Sequence, residues 1–353
     1  FTVLHITDIQ DRYPMNSVAE KYIIDILDKV NPDLVVLGGD NIAGNVIKSK
    51  NKVIKAINEY MSIFEERNIK VAGVFGNHDA ENDCTTKQDQ QAVYESYSCY
   101  IGTTGYTDGE RVGNYNLPVL SSDGSRYAFN LWFIDSGDYN VDNELGGYAA
   151  VKQGQIEWYK QQSKALADLN GGKPVPSISF QHIIVPEIFD ALKQVDAGTE
   201  GAVAKTFPKS GETKYYVLPE NAKGELREVP CPPEYTNGQF DAMLEMGDVL
   251  ATVSGHDHTN TFEVEYKGID ILNSPCMSFS TASYNGDNMG ARVFVLDENT
   301  PEDYETYVID YSSIYSEDDA MMKAGFAAYS QKLNIFTRII NWFVYTFYCI
   351  VNN

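Results

Sequence analysis

The sequence contains little positive charge. Its 27 Lys and Arg residues face 50 Asp and Glu residues, which gives a net charge of −23 at pH 7. Proteins that bind nucleic acids usually present a basic surface, so this composition argues against that class of function, and we expect no nucleic-acid partner. An anionic substrate would need a strong local positive centre, which a bound metal ion can supply.

Cysteine is also scarce, and its spacing shows no pattern. The five cysteines include no C-x-x-C pair, which argues against a zinc knuckle or a redox pair. Cys84 and Cys99 are near enough along the chain for a local bridge, but an odd number of scattered cysteines is more typical of free, partly buried thiols. The chain begins in an apolar strand and not in a signal peptide. We expect a secreted or cell-envelope location if such a peptide has been removed, and a cytoplasmic one otherwise.

A long apolar run is missing except near the end of the chain. Residues 333–351 are apolar and aromatic, but Arg338 and Asn341 interrupt them, so the segment is marginal for a bilayer span. We expect a helix that packs against protein or lies on a membrane surface. We therefore divide the chain into a domain over 1–315, with a surface loop or flap at 197–237, and a C-terminal helical, apolar segment over 316–353.

The first 80 residues alternate between apolar strands and amphipathic helices. Strands are predicted at 1–7, 33–37 and 70–75, with helices between them, which is the pattern of right-handed parallel crossovers. Asp8, Asp40 and Asn77 each follow a strand. Because open α/β sheets bind ligands beyond the carboxyl ends of their strands, we expect these side chains to meet at one edge.

Two later apolar strands end at histidines. His182 follows 175–180, and His256 and His258 follow 249–253. Neutral imidazole is the commonest metal ligand in proteins. We expect these strands to extend the same edge, and the strands predicted at 261–266, 269–272, 291–296 and 304–311 to form a second sheet. His5, inside the first strand, is expected to be structural, and Tyr284, Asn285 and Asp287 are weak candidates for lining the site.

These motifs together resemble the calcineurin-like metallophosphoesterases. The resemblance rests on Asp8-x-Gln10, Gly39-Asp40, Gly76-Asn77-His78-Asp79, His182 and Gly255-His256-Asp257-His258. It implies an α/β fold, a two-sheet αββα sandwich with a binuclear metal site at the C-terminal ends of strands. Phe180-Gln181-His182, then Pro186-Glu187, and Asn260 after the histidine pair are closest to the purple-acid-phosphatase-like branch. The iron-binding tyrosine of that branch is Ala43 here, so a tyrosinate-bound Fe(III) is not expected.

The resemblance also implies a role for each residue. Asp40 would bridge two divalent or trivalent ions, drawn from Mn, Fe, Zn and Mg. Asp8, Gln10 and His258 would hold the first ion, and Asn77, His182 and His256 the second. The nucleophile would be a metal-bridging hydroxide. His78 would bind the phosphoryl oxygen and protonate the leaving group, while Asp79 would accept a hydrogen bond from the His78 ring.

Gln10 departs from the family pattern, which has histidine there. A glutamine oxygen is a harder and weaker ligand than imidazole, so it should lower affinity for the first ion and favour Mn, Mg or Fe over Zn. We expect a metal-dependent phosphoesterase that acts on a small phosphorylated substrate, with a phosphomonoester favoured. The alternatives are a phosphodiesterase acting on a nucleotide or lipid headgroup, and a catalytically degenerate member that binds a partner.

Overall fold

The computed structural model describes residues 1–141, 144–278, 289–315 and 335–352. Its first sheet has five strands in the order β15-β14-β1-β2-β3, and these are β1 (Thr2–Ile6), β2 (Leu34–Gly38), β3 (Lys70–Val74), β14 (Gly290–Val295) and β15 (Glu305–Asp310). The strands β1, β2 and β3 are parallel neighbours, as predicted, while β14 and β15 are antiparallel.

The second sheet has seven strands in the order β12-β13-β11-β7-β6-β5-β4. They are β4 (Tyr106–Asp108), β5 (Arg111–Leu120), β6 (Tyr127–Ile134), β7 (Ser177–Gln181), β11 (Val249–Ser254), β12 (Glu263–Tyr266) and β13 (Ile269–Asn273). Its central strands β6, β7, β11 and β13 are parallel. The carboxyl ends of β7 and β11 therefore lie at the same edge of this sheet.

Helices pack against the outer faces of the two sheets. They are α1 (Ser17–Val30), α2 (Lys50–Glu66), α3 (Lys87–Tyr94), α4 (Gln153–Leu169), α5 (Ile188–Ala191), α6 (Gln239–Met246) and α7 (Tyr311–Ile314). A further helix, α8 (Ile335–Asn352), follows near the end of the chain. The helix α1 begins at an Asn16 cap whose side chain accepts from the Val18 amide, and it ends at Asn31 in the left-handed conformation. These are common start and stop signals of a helix.

Three layers of apolar side chains hold the sheets and helices together. The central layer joins the inner faces of the two sheets and includes Val36, Phe133, Phe180 and Phe294. The two outer layers bury α1 and α2 on the first sheet and α4 and α6 on the second. The predicted αββα sandwich is thus confirmed. The edge predicted to carry the site is the one where the carboxyl ends of the parallel strands of both sheets meet.

Two predictions about the sheets are wrong. The strands that precede His182 and His256 belong to the second sheet and do not extend the first, while β14 and β15 join the first sheet instead of the second. Nearly every residue of β7, β11 and β14 is buried. A fully buried apolar strand has no polar face, so its sequence does not indicate which of two sheets it joins. The strand β15, which is largely exposed or half-buried, pairs with β14 and so lies in the same sheet.

The predicted surface loop at 197–237 also contains regular structure. The strand β10 (Thr213–Val217) pairs with β8 (Lys193–Val195) on one side and with β9 (Val203–Thr206) on the other, in a small antiparallel sheet. Threonine, tyrosine and valine in β10 favour a strand. The flap is therefore an ordered sheet beside the main sandwich.

The C-terminal segment forms the predicted helix where the structure describes it. Several large apolar side chains of α8 are exposed, among them Phe336, Ile340 and Phe343. Residues 316–334 and the weak candidates Tyr284, Asn285 and Asp287 lie outside the described residues. Among the helices of the described ranges, none combines the length and the apolar character needed to cross a membrane. Contact of α8 with a membrane surface or a partner stays a prediction.

Candidate metal centre

In the turns after the strands, several residues adopt a backbone conformation that residues other than glycine rarely adopt. Asp8, Asp40 and His256 have φ values of 54°, 49° and 67°, and Gln10 has 41°. Positive φ is uncommon outside glycine, and such strain concentrates at functional sites. The first two turns bind each other, since the Asp8 amide donates to Gly39 O at 3.0 Å and the Gln10 amide to Asp40 O at 2.9 Å.

Two glycines allow the polar side chains to approach the backbone closely. A Cβ at Gly76 would lie 2.1 Å from Asp40 Oδ1, and one at Gly255 would lie 2.0 Å from Thr7 Oγ1 and 2.5 Å from Asp8 Oδ2. Real Cβ atoms do not come so near to other atoms. The glycines of the Gly-Asn-His and Gly-His-Asp-His motifs are therefore required by packing around the two carboxylates.

The predicted ligands from both sheets converge. His182 Nε2 lies 3.0 Å from Asp40 Oδ2 and 3.9 Å from Asp8 Oδ1, and His258 Nε2 lies 3.3 Å from Asp8 Oδ1. Ligand atoms of Asp40, His182 and His256 lie within 4.8 Å of one another. The ligand roles stay predictions, but the proximity that they require is present.

Two buried side-chain oxygens are available as ligands for a cation. The Asn77 side-chain nitrogen donates to Tyr139 Oη at 3.2 Å, which leaves Asn77 Oδ1 buried with no hydrogen-bond partner among the described residues. Asp8 Oδ2 accepts from Thr7 Oγ1 and from the His256 amide, while Asp8 Oδ1 accepts no hydrogen bond within the same ranges. A buried polar atom without a partner is destabilising, and a metal ion would satisfy both oxygens.

The protonation of His182 supports the same reading. Its Nδ1 lies 2.9 Å from the Gly38 carbonyl, so Nδ1 donates and Nε2 faces the carboxylates. Burial alone lowers its pKa, but Asp40 and Asp8 outweigh burial and raise the pKa of His182 to about 10. The extra proton thus balances two buried carboxylates. A cation bound at the same place would replace that proton, as metal binding commonly does.

His256 is neutral in the same cluster. Burial, reinforced by His182, lowers the pKa of His256 to about 3. Its ring packs edge-on against Tyr148, with the centroids 4.3 Å apart. A neutral, sterically fixed imidazole is the form that binds metals.

Gln10 makes a contact that a metal ligand would not make. Its side-chain nitrogen donates to Asp40 Oδ2 at 3.2 Å, so the amide supplies a neutral donor to the predicted bridging carboxylate. An amide can turn over to present its oxygen, which would let Gln10 act as the weak ligand that the sequence predicts. The set Asp40, Asn77, His182 and His256 is complete without it.

His78 is oriented by a residue that the sequence analysis did not single out. Its Nδ1 lies 2.5 Å from Glu81 Oε2, and its Nε2 lies 3.9 Å from Asp40 Oδ2. Glu81 Oε1 also accepts from Tyr139 Oη at 2.6 Å. One carboxylate therefore orients His78 directly and Asn77 through Tyr139. The spacing of three between His78 and Glu81 is the signal that could have indicated this pair.

The expected contact between Asp79 and the His78 ring is wrong. Both Asp79 oxygens accept from backbone amides instead, those of Asn41, Ile42 and Gly76, at 2.8 to 3.1 Å. Burial and the nearby Asp40 raise the pKa of Asp79 to about 7. Asp79 thus binds the turn after β2 to the turn after β3, and it acts on the site through the backbone.

Comparisons with known proteins identify the family of this chain. A family model described as calcineurin-like phosphoesterase matches residues 1–260. Two Arabidopsis thaliana relatives are "Probable inactive purple acid phosphatase 29", 28% identical over 76% of this chain and 65% of its own length, and "Probable inactive purple acid phosphatase 14", 29% identical over 68% and 57%. This chain thus spans less than two thirds of either relative. A dimetal phosphatase from Danio rerio, 14% identical, has a similar fold, with a TM-score of 0.50 over 88% of this chain and 99% of its own.

Proposed function

Because the chain belongs to the calcineurin-like phosphoesterase family, we propose that it is a metal-dependent hydrolase of phosphate esters, and that its substrate is a phosphomonoester. One observation carries the proposal. Carboxylate and imidazole groups from four strand ends of two sheets, those of Asp8, Asp40, His182, His256 and His258, lie close together, and Asp8 Oδ1 is buried with no hydrogen-bond partner in the described ranges. Such a set of oxygen and nitrogen donors suits Mn, Fe, Zn or Mg.

The side chains divide the work between binding and proton transfer. When bound, two metal ions would supply Lewis-acid polarisation of the phosphoryl group and activation of water. His78 is 27% exposed at its side chain, so it can reach a substrate. Its Nε2 would donate to a phosphoryl oxygen and then to the leaving oxygen, while Glu81 at 2.5 Å from Nδ1 fixes the orientation of the ring.

Asp40 couples the ligand cluster to His78. Its Oδ1 accepts from the His78 amide at 2.7 Å, while its Oδ2 faces His182. The same carboxylate thus orients the backbone of the proton donor and belongs to the predicted metal site. Correct alignment of reacting groups is itself worth several kcal/mol, roughly 7 to 11 in favourable cases.

Hydrolysis of matched esters tests the proposal. The protein, dialysed against chelator and reloaded with Mn²⁺, should hydrolyse an aryl phosphomonoester faster than the corresponding aryl diester. Asp40→Asn should abolish both activities. A metal-loaded protein that hydrolyses neither ester would contradict the proposal, and a protein that prefers the diester would favour the phosphodiesterase alternative.

A second candidate function is metal-poor partner binding without catalysis. One support is the Gln10 side chain, which donates to Asp40 at the position where the family has a histidine ligand. The other is that the names of the two Arabidopsis relatives describe them as probably inactive. Elemental analysis of the purified protein separates the two candidates. Less than one tightly bound ion per chain, unchanged by His256→Ala, would support the degenerate alternative, whereas binding lost in that variant supports the enzyme.

A further inference from the structure

A cavity of about 350 Å³ lies beside the flap. It is enclosed by α5, by β9 and β10 of the small sheet, and by the segment 232–236; we call it the flap pocket. Small-molecule sites in proteins are clefts of roughly 300 to 1,000 Å³ lined mainly by apolar and aromatic groups. The flap pocket is large enough for a small organic group.

Three aromatic rings form one side of the flap pocket. The Phe189 ring centroid lies 5.7 Å from that of Phe207 and 5.1 Å from that of Tyr216. Pro232 and Pro233 also line the pocket and are buried. Aromatic rings prefer offset or edge-to-face packing with further rings, so this lining suits a planar ring.

The charges around the flap pocket are balanced. Lys205 lies 2.6 Å from Glu234, and Lys214 lies 3.6 Å from Glu212. Both lysines also lie over the Phe207 ring, at 5.9 and 5.6 Å from its centroid. Because each cation already has a carboxylate partner, the lining favours an uncharged ring over a second phosphate group.

A hydrogen bond links the chain beside the flap pocket to the loop that carries two of the predicted metal ligands, His256 and His258. The Cys231 amide, next to Pro232 of the pocket wall, donates to Asp257 Oδ1 at 3.1 Å, and Asp257 stands between His256 and His258. The amides of Arg227 and Glu228 donate to Asn260 Oδ1 at 2.9 and 3.1 Å. On the other side, Pro186 follows His182 by four residues, which is at most about 14 Å of extended chain.

We propose that the flap pocket binds an aromatic ring in the leaving group of the substrate, separated from the phosphorus by several bonds. This inference rests on the proposed phosphoesterase function and adds a substrate class to it. The phosphoryl group would lie at the metal centre and the ring against the cluster of Phe207, Phe189 and Tyr216. An ester of the same alcohol without the ring would lose that binding.

Adenosine 5′-monophosphate and ribose 5-phosphate are a matched pair of probes, since they share phosphate and sugar and differ in the ring. With Mn²⁺-loaded full-length chain, kcat/KM for the nucleotide should exceed that for the sugar phosphate about tenfold, the order of one stacked base. Phe207→Leu and Phe207→Ala should remove this preference by raising KM for the nucleotide alone. Tyr307→Ala, an exposed ring on β15, is the control and should change neither substrate.

A binding measurement separates this inference from the proposed function. In chelator, adenosine should give a saturation-transfer NMR signal with the unmodified chain and with Tyr307→Ala, and no signal with Phe207→Leu. Equal kcat/KM for the two esters, or a preference that survives in both Phe207 variants while they remain folded, would overturn the ring pocket and leave hydrolysis intact. Phe207-dependent adenosine binding without hydrolysis of either ester would support the pocket and overturn the proposed function.

Discussion

Gln10 is the residue by which the two predicted metal positions differ in their ligands. The donors around Asp40, Asn77, His182 and His256 match the family pattern, whereas the Asp8 and His258 side has an amide in place of an imidazole. In the structure that amide donates to Asp40 at 3.2 Å. We therefore expect two ions bound with unequal affinity.

Replacing Gln10 with histidine tests this inequality. An imidazole is a stronger ligand than an amide oxygen, so Gln10→His should tighten the weaker Mn²⁺ site by about tenfold, which is about 1.4 kcal/mol, and leave the stronger site unchanged. Isothermal titration calorimetry of the chelated protein resolves the two affinities. Gln10→Asn, which keeps the amide, is the control, and a Gln10→His variant with an unaltered weak site would contradict the assignment.

Glu81 is the positioning residue that the structure adds to the sequence reading. Glu81→Gln removes the charge beside His78 Nδ1 and weakens the link to Tyr139, so kcat should fall by roughly 10- to 100-fold, as for other residues that orient a site. KM and metal content should change little, and Glu81→Asp should recover part of the loss.

The matched control is Glu245→Gln, because Glu245 is exposed and pairs only weakly with Lys160 on the surface. Its kcat should equal that of the unmodified protein. A Glu81→Gln variant of full activity would show that Glu81 does not act through His78, and one that loses its metals would show that Glu81 acts mainly through Tyr139 and Asn77.

Among the elements, the turn after β3 depends on a glycine for steric reasons. A Cβ at Gly76 would lie 2.1 Å from Asp40 Oδ1, so Gly76→Ala should displace that carboxylate and lower the bound metal content. Gly124→Ala in the β5–β6 turn is the control. It has open space around it at φ 70° and should cost only about 1 to 2 kcal/mol of backbone strain. Gly76→Ala protein with full metal content would contradict the role of this turn.

The helix α3 is joined to the end of β6 by a buried ion pair. Lys87, at the first position of α3, lies 2.9 Å from both Asp135 and Asp138, and its side chain is 2% exposed. Lys87→Met should lower the free energy of unfolding by about 3 to 5 kcal/mol, because it leaves buried carboxylates without their main cation.

Lys50→Met is the comparison for that variant. Lys50 pairs with Asp89 at 2.8 Å on the same face of the molecule, but its side chain is 56% exposed, so the loss should stay under about 1 kcal/mol. Urea unfolding of both variants measures the difference. Equal stability would mean that the Lys87 pair contributes no more than a surface pair.

Some features of the strands could be predicted from the sequence and others could not. The parallel order of β1, β2 and β3 follows from alternating apolar strands and amphipathic helices, and each polar cluster follows a strand end. The placement of β7 and β11 in the second sheet could not be read, because a strand buried on both faces carries no directional pattern. The contacts of Asp79 could not be predicted either, because both of its oxygens accept hydrogen bonds from backbone amides, and every residue type except proline has such an amide.

Across the whole molecule the net charge is −23, and two of the carboxylates, Asp8 and Asp40, lie in the buried cluster. Bound cations would reconcile an acidic protein with an anionic substrate, because they provide the largest positive charges at the site. A shared apolar layer packs the two sheets against each other, which keeps the carboxyl ends of their parallel strands close together. The cluster is thus fixed by the sandwich as a whole and not by any one loop.

Anomalous X-ray diffraction from crystals soaked in Mn²⁺ would show directly whether these side chains bind two ions. We expect two manganese peaks at the shared edge of the sheets, a stronger one among Asp40, Asn77, His182 and His256 and a weaker one beside Asp8 and His258, and neither in Asp40→Asn. Crystals with no manganese at this edge, or with ions bound only elsewhere on the acidic surface, would contradict it.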